Sequence, residues 1–479
     1  MARHVAAFIG RERELGGLIE LGVRVARRVG PQAALVLGDP GSGKSRLLAE
    51  ASARITLRHQ LRIVGFEPAR QVPLAAASDL LRALTIAPRD GPRLRDLLYD
   101  VPTTPGGLEP LRIFEAAHRA LRTLGPALII ADDLQWADEQ TLALCHYLMR
   151  AAQTLNQPVG LIVASRPSPN ADALLASLEQ LLPQESLVTL GLEPLSRKEG
   201  VLLATELAPG LATERAETLW ARARGSPFWI AALVRSNDAD PDAGNVVTAR
   251  LRGLGADTTT LFAVLTVVGR PLVLRDLALL LSWGLGRVDG AAGQLINHGV
   301  LVQRDSALAL AHDLIREAAL RQLPLQERRR IHLQLAAWLE AEAGDDLGLL
   351  RLALEHRRGG GLSAVDLALR LARAPNRRLL GADGLRELAT IADEADQDAE
   401  DTLVLQQHVA SLALELGNWS VALDRFARLS EEYLTEPADR ARAAYGAATA
   451  ALELRRGEVA HVYCECRDKT GTVVWVLSG

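Results

Sequence analysis

The sequence predicts an α/β domain, a parallel sheet covered by helices, followed by a long helical remainder, so that the protein is mostly α overall. Three observations carry this. Up to about residue 167, short aliphatic runs alternate with helix-spaced segments, the order that builds parallel sheets covered on both faces. Beyond Pro167, amphipathic helices follow one another with few strand signals. Finally, a glycine-rich octapeptide, Gly38-Asp39-Pro40-Gly41-Ser42-Gly43-Lys44-Ser45, stands where the first strand gives way to a helix.

At 479 residues the chain has room for roughly three or four structural units. Its composition, 48% hydrophobic and 23% charged, is that of a globular protein, and its wealth of Leu, Ala and Arg favours helices. A net charge of -4 excludes the broad basic field that holds nucleic acid without sequence preference. Cys145, Cys464 and Cys466 are too few for a disulfide framework, and Cys464 with Cys466 lacks the further ligands of a zinc site. No signal-peptide pattern and no apolar run near ~20 residues occurs, which predicts a cytoplasmic protein with no membrane partner.

Taken in order, Leu15, Leu18, Ile19, Leu21 and Val25 fall on one face of a helix over 12–29. Ala33 to Leu37 is a buried-strand candidate, and Arg46 to Glu50 opens a helix beyond the glycine loop. Further strand candidates are 61–66, 127–131 and 161–164, which closes a first domain at residues 1–168. Residues 169–244 read as a helical lid, with one strand signal at 187–190 and a polar linker from Ser236 to Gly244. Residues 245–325 offer three helices, 258–267, 274–281 and 290–298, then two strands, 300–303 and 307–311, around Arg304-Asp305-Ser306; this pattern suggests a winged helix. From 326 to 458 helix follows helix, and an Ala-Leu-Glu-Leu core recurs at Ala413 and Ala451, a period near that of helical-hairpin repeats. A plain helical bundle fits this stretch as well. Residues 459–479 read as a strand-rich tail, either a truncated further domain or a foreign end.

The glycines of the octapeptide let successive backbone N–H groups converge on an anion at a helix N-terminus. In such a P-loop Lys44 reaches the β and γ phosphates and Ser45 ligates magnesium; Arg46 continues the loop into the helix. At 128–133, Leu-Ile-Ile-Ala-Asp-Asp delivers an acidic pair to a strand end, where ligands gather in parallel sheets. Asp132 is the candidate to hold magnesium through water and Asp133 to polarise an attacking water, although such a pair also serves as a turn or cap. Arg166, ending the strand before Pro167, is the candidate sensor of the γ phosphate; the bland reading is a surface arginine. The cofactors expected are ATP or ADP and Mg2+.

Phe8-Ile9-Gly10-Arg11-Glu12-x-Glu14, the P-loop, Asp132 through Asp138, Ser165-Arg166-Pro167 and Gly225-Ser226-Pro227-Phe228-Trp229 occur in this order. Together they resemble the signal-transduction ATPases with numerous domains (STAND), over about residues 8 to 455. The nearest branch is the large ATP-binding LuxR-type transcriptional regulators. The resemblance implies that Ile9, Gly10 and Arg11 lie beside adenine, that Pro227 packs on base or ribose, and that His312 contacts the β phosphate of ADP in a closed state. It also implies a slow switch with an inducer or partner protein at the helical repeats, and ATP-dependent self-association. No C-terminal helix-turn-helix is legible, so the resemblance supports a switch without a DNA-reading output. Eight Arg against six Asp or Glu over 246–322 are scattered, unlike the basic face of a DNA-binding wing. The competing expectation is an AAA+ ATPase that binds or remodels DNA, of the origin-binding type.

Overall fold

The computed structural model describes residues 8–99, 110–236, 251, 254–304, 306–396, 399–430 and 437–455. The linker beyond Ser236, Asp305 and the tail with Cys464 and Cys466 lie outside them. The chain divides into two compact units, one containing 1–70, 74–98 and 114–334, the other 71–73, 99–113 and 335–479.

The first unit is built on five parallel strands: β1 (Gln32–Leu37), β2 (His59–Val64), β3 (Ala127–Asp132), β4 (Val159–Ser165) and β5 (Leu187–Gly191). Their order in the sheet is β2-β3-β4-β1-β5. The central strands are apolar along nearly their whole length and buried, because helices cover both faces of such a sheet. Leu15, Leu18, Leu21 and Val25 of α1 (Glu12–Ala26) and Leu47, Leu48 and Ala51 of α2 (Lys44–Arg54) pack on Ala34, Val36, Leu128, Ile130 and Ile162. Each such leucine contributes about 2 kcal/mol when fully buried. The strand at 187–191, which sequence reading places inside the lid, pairs parallel with β1, Leu35 opposite Thr189. Its side chains are all partly or fully exposed, as suits an edge strand, so it lacks the buried run that marks the inner strands.

Three helices follow, Arg197–Leu207, Thr213–Arg222 and Pro227–Ser236, around Leu195, Ala204, Leu219, Ile230 and Leu233. Ser196 and Glu199 form a capping box at the first, and Trp220 Nε1 donates to the Leu195 carbonyl at 2.9 Å. Residues 254–322 contain helices Ala256–Val268, Leu274–Leu281 and Leu285–Asn297 and an antiparallel sheet of β6 (Leu272–Val273), β8 (Ala307–Leu310) and β7 (Leu301–Arg304), in that order. The sequence signals only two of these strands; β6 is two residues long and has no periodicity to read. A further helix, Asp313–Gln322, closes this part.

The second unit is helical among its described residues. Helices Leu347–Gly359, Val365–Arg373, Gly381–Glu394, Glu400–Glu415, Trp419–Arg428 and Pro437–Glu453 pack largely on their sequence neighbours, as helical repeats do. Both Ala-Leu-Glu-Leu cores fall at the C-terminal end of a helix, 413–416 closing Glu400–Glu415 and 451–454 closing Pro437–Glu453.

Candidate nucleotide site

Sheet order brings the chemical segments together. Because β1, β4 and β3 are neighbours in register, with Leu37 opposite Ser165 and Ala131 opposite Val163, the P-loop, Arg166 and the Asp132-Asp133 pair emerge side by side at the strand C-termini. β2 adds Gly65 to Glu67 beside them: Gly65 N donates to the Asp132 carbonyl at 3.0 Å.

Within the P-loop, Gly41 (φ 83°) and Gly43 (φ 95°) take the left-handed conformation that glycine adopts without strain. At Gly41 space decides too, since a Cβ there would lie 2.9 Å from Phe228 Cβ. Lys44 Nζ donates to the carbonyls of Gly38 (2.8 Å) and Asp39 (3.0 Å), which bends it back across its own loop. Ser42 Oγ is buried and has no hydrogen-bond partner in the protein, an orphan hydroxyl suited to an oxyanion. The lid closes on this loop, with Phe228 N donating to the Gly41 carbonyl at 3.3 Å.

The segment after β3 divides its labour. Asp133 sits at φ 54°, and its Oδ1 accepts from Gln135 Nε2 at 2.9 Å, while Gln135 Oε1 accepts from Arg166 N at 3.1 Å. Gln135 thereby ties the β3 and β4 ends. Asp138 is buried at the N-cap of the helix Glu139–Thr154 and accepts from Leu74 N, Ala76 N, Thr141 N and Thr141 Oγ1. Burial pushes its pKa up against those hydrogen bonds, and its role is structural.

Residues 254–322 supply the facing wall. His312 caps the helix Asp313–Gln322: its Nδ1 accepts from Leu314 N at 3.1 Å, which places the neutral ring's proton on Nε2. The ring lies against Phe228, centroids 4.1 Å apart. One helical turn on, Arg316 pairs with Glu67 and donates to the Thr266 carbonyl at 3.0 Å, and Glu317 pairs with Arg166 at 2.9 Å.

These parts enclose a cavity of about 380 Å3, within the range of ligand sites. Of the sequence candidates, Pro40, Gly41, Gly43, Lys44, Ser45, Arg46, Asp133, Arg166, Pro227 and His312 line it. Gly38, Asp39 and Ser42 shape the loop beneath. Asp132 ends β3 and accepts from Asp133 N at 3.0 Å without lining the cavity. Ile9, Gly10 and Arg11 do not line it; a Cβ on Gly10 would meet Glu199 and Leu195, and Arg11 donates to the Glu193 carbonyl, so this segment meets the start of the lid.

Sequence reasoning missed Glu67, Trp136, Phe228, Arg270, Arg316 and Glu317, all of which line the cavity. Burial lowers the pKa of Arg270, which the charge of Asp276 opposes. Trp136 and Phe228 lie inside the motifs that carry the resemblance, and Arg316 lies at helical i+4 spacing from His312.

Residues 7–163 match the AAA ATPase domain family. The chain carries an AAA ATPase domain. Such a domain implies nucleotide binding. The whole chain is similar to a STAND protein with a tetratricopeptide repeat sensor from Pyrococcus horikoshii: TM-score 0.57 at 18% identity, over 96% of this chain and 64% of that one. The fold of the chain is therefore similar to that of this STAND protein, of whose length it spans under two thirds. Other similar structures are RuvB of Thermotoga maritima (TM-score 0.30, 16% identity, 66% and 97% covered) and Cdc6p of Pyrobaculum aerophilum (TM-score 0.35, 14%, 67% and 98%). No curated protein matches the chain. Among the described residues, no helix is long and apolar enough to cross a membrane.

Proposed function

We propose that the protein is a nucleotide-dependent signal-transduction switch that binds ATP and ADP with magnesium and hydrolyses ATP slowly. One observation carries this reading: the P-loop shares a single cavity with the lid residues Pro227 and Phe228 and with His312 from beyond the lid. A nucleotide held there touches three parts of the chain at once, so its phosphate count bears on whether they stay together.

The residues suit the group. Gly41 and Gly43 hold the loop in the left-handed conformation, Ser42 Oγ is a buried hydroxyl without a protein partner, and Lys44 supplies the charge. Ser45 and Asp132 would hold magnesium, which offsets phosphate charge when bound. Asp133, kept in place by Gln135, would orient the attacking water, and His312 Nε2 would donate to the phosphates of a retained ADP. Residues 245–325 then act as a winged helix packed on the site, and the helical repeats receive an inducer or partner protein whose binding favours the open state. The output, transcriptional or other, lies downstream of that opening.

Identifying the nucleotide that copurifies, then following hydrolysis with and without DNA, tests the reading. Tightly held ADP with slow, DNA-independent turnover is the expected result; brisk DNA-stimulated hydrolysis overturns it in favour of a remodelling ATPase. Lys44→Ala should abolish measurable nucleotide binding, because the phosphates lose the main cation of the loop.

A further inference from the structure

We propose that Glu317 sets the preference for a nucleoside diphosphate over a triphosphate, by occupying the arginine that a terminal phosphate would otherwise engage. This deepens the switch reading and rests on it. Arg166 follows β4 directly, beside the P-loop strand, and its backbone N–H is held by Gln135. Its guanidinium Nη1 stands 2.9 Å from Glu317 Oε1. Both residues line the nucleotide cavity.

A carboxylate and a phosphate are interchangeable partners for a guanidinium, since both present paired anionic oxygens to its N–H fork. Two anions at one guanidinium repel each other, so each weakens the other's hold on it. A third phosphate reaching Arg166 therefore competes with Glu317, whereas a diphosphate leaves the pair undisturbed. Glu317 is also fixed. It follows Arg316, which Glu67 and the Thr266 carbonyl hold, on a helix capped by His312. Displacing its carboxylate thus strains the contact between residues 254–322 and the nucleotide loops, so the contact that disfavours a triphosphate is the same one that a bound triphosphate would open.

The pair is partly exposed, Arg166 at 20% and Glu317 at 36% of the side chain, which keeps the expected effect moderate. Glu317→Gln retains shape and removes the charge. It should tighten binding of a non-hydrolysable ATP analogue by about three- to tenfold while ADP affinity changes less than about twofold. The measurement is a titration of the parent, Glu317→Gln, Arg166→Ala and the double variant with each nucleotide in magnesium buffer. In the Arg166→Ala background the Glu317 substitution should no longer shift the ratio. An unchanged ratio in Glu317→Gln, with both nucleotides still bound, overturns the proposal alone. An equal shift with and without Arg166 also overturns it, since the effect would then bypass the pair. A parent protein that binds neither nucleotide overturns this proposal and the switch reading together.

Discussion

Both units of the chain set arginines against carboxylates, in opposite circumstances. In the AAA-containing unit Arg166 and Arg316 meet Glu317 and Glu67 at the wall of a cavity, where another anion can compete. In the helical unit Arg351 is 2% exposed and lies 2.7 Å from Glu387, itself 11% exposed. Burial lowers the Arg351 pKa against the pull of Glu387, Asp383 and Glu355. The first arrangement is exchangeable. The second is shut away from any added anion, and losing Arg351 removes the shorter of the ion pairs that Arg351 and Arg358 make with the largely buried Glu387.

Three substitutions sharpen or break that contrast. Asp133→Ala acts on the exchangeable side and should lower ATP hydrolysis by about a hundredfold or more while leaving nucleotide affinity within about threefold; phosphate release at the parent rate would remove Asp133 as the water-orienting base. Arg351→Ala should cost about 3–5 kcal/mol of stability, read as a lower denaturation midpoint, with nucleotide affinity per folded molecule unchanged. A loss below about 1 kcal/mol would place that pair with weak surface bridges. His312→Ala should speed ADP release by about five- to tenfold, the scale of one hydrogen bond to a charged group. Unaltered release in a stopped-flow chase would leave His312 as a helix cap and nothing more.

Much of the first unit was legible because its signals are local. The aliphatic runs at 33–37, 127–131 and 161–164 lie within strands β1, β3 and β4, and the glycine loop follows β1 as its chemistry requires. Strand β5 was harder to place, since an edge strand with no buried run looks the same beside a lid as beside a sheet. The site was legible on the P-loop side and opaque on the other. Nothing in the residues around Glu67 announces a partner at Arg316, 249 positions away, because such pairs exist only once the chain has closed. Gly65 and Gly269 mark the same closure: a Cβ on Gly65 would lie 2.2 Å from the Asp133 carbonyl, and one on Gly269 2.6 Å from Pro68. In sequence both are merely glycines.

The side-chain amide of Gln135 joins two strand ends because its two sides differ in kind, one donating to Asp133 and the other accepting from Arg166 N. No isostere preserves that polarity. A glutamate would fit the same space and set two carboxylates at hydrogen-bond distance, where one proton would be shared between them. The end of β3 would then carry an acid–base couple with its own titration. The neutral amide instead gives Asp133 a donor and Arg166 N an acceptor, and adds no further titrating group to the ends of β3 and β4.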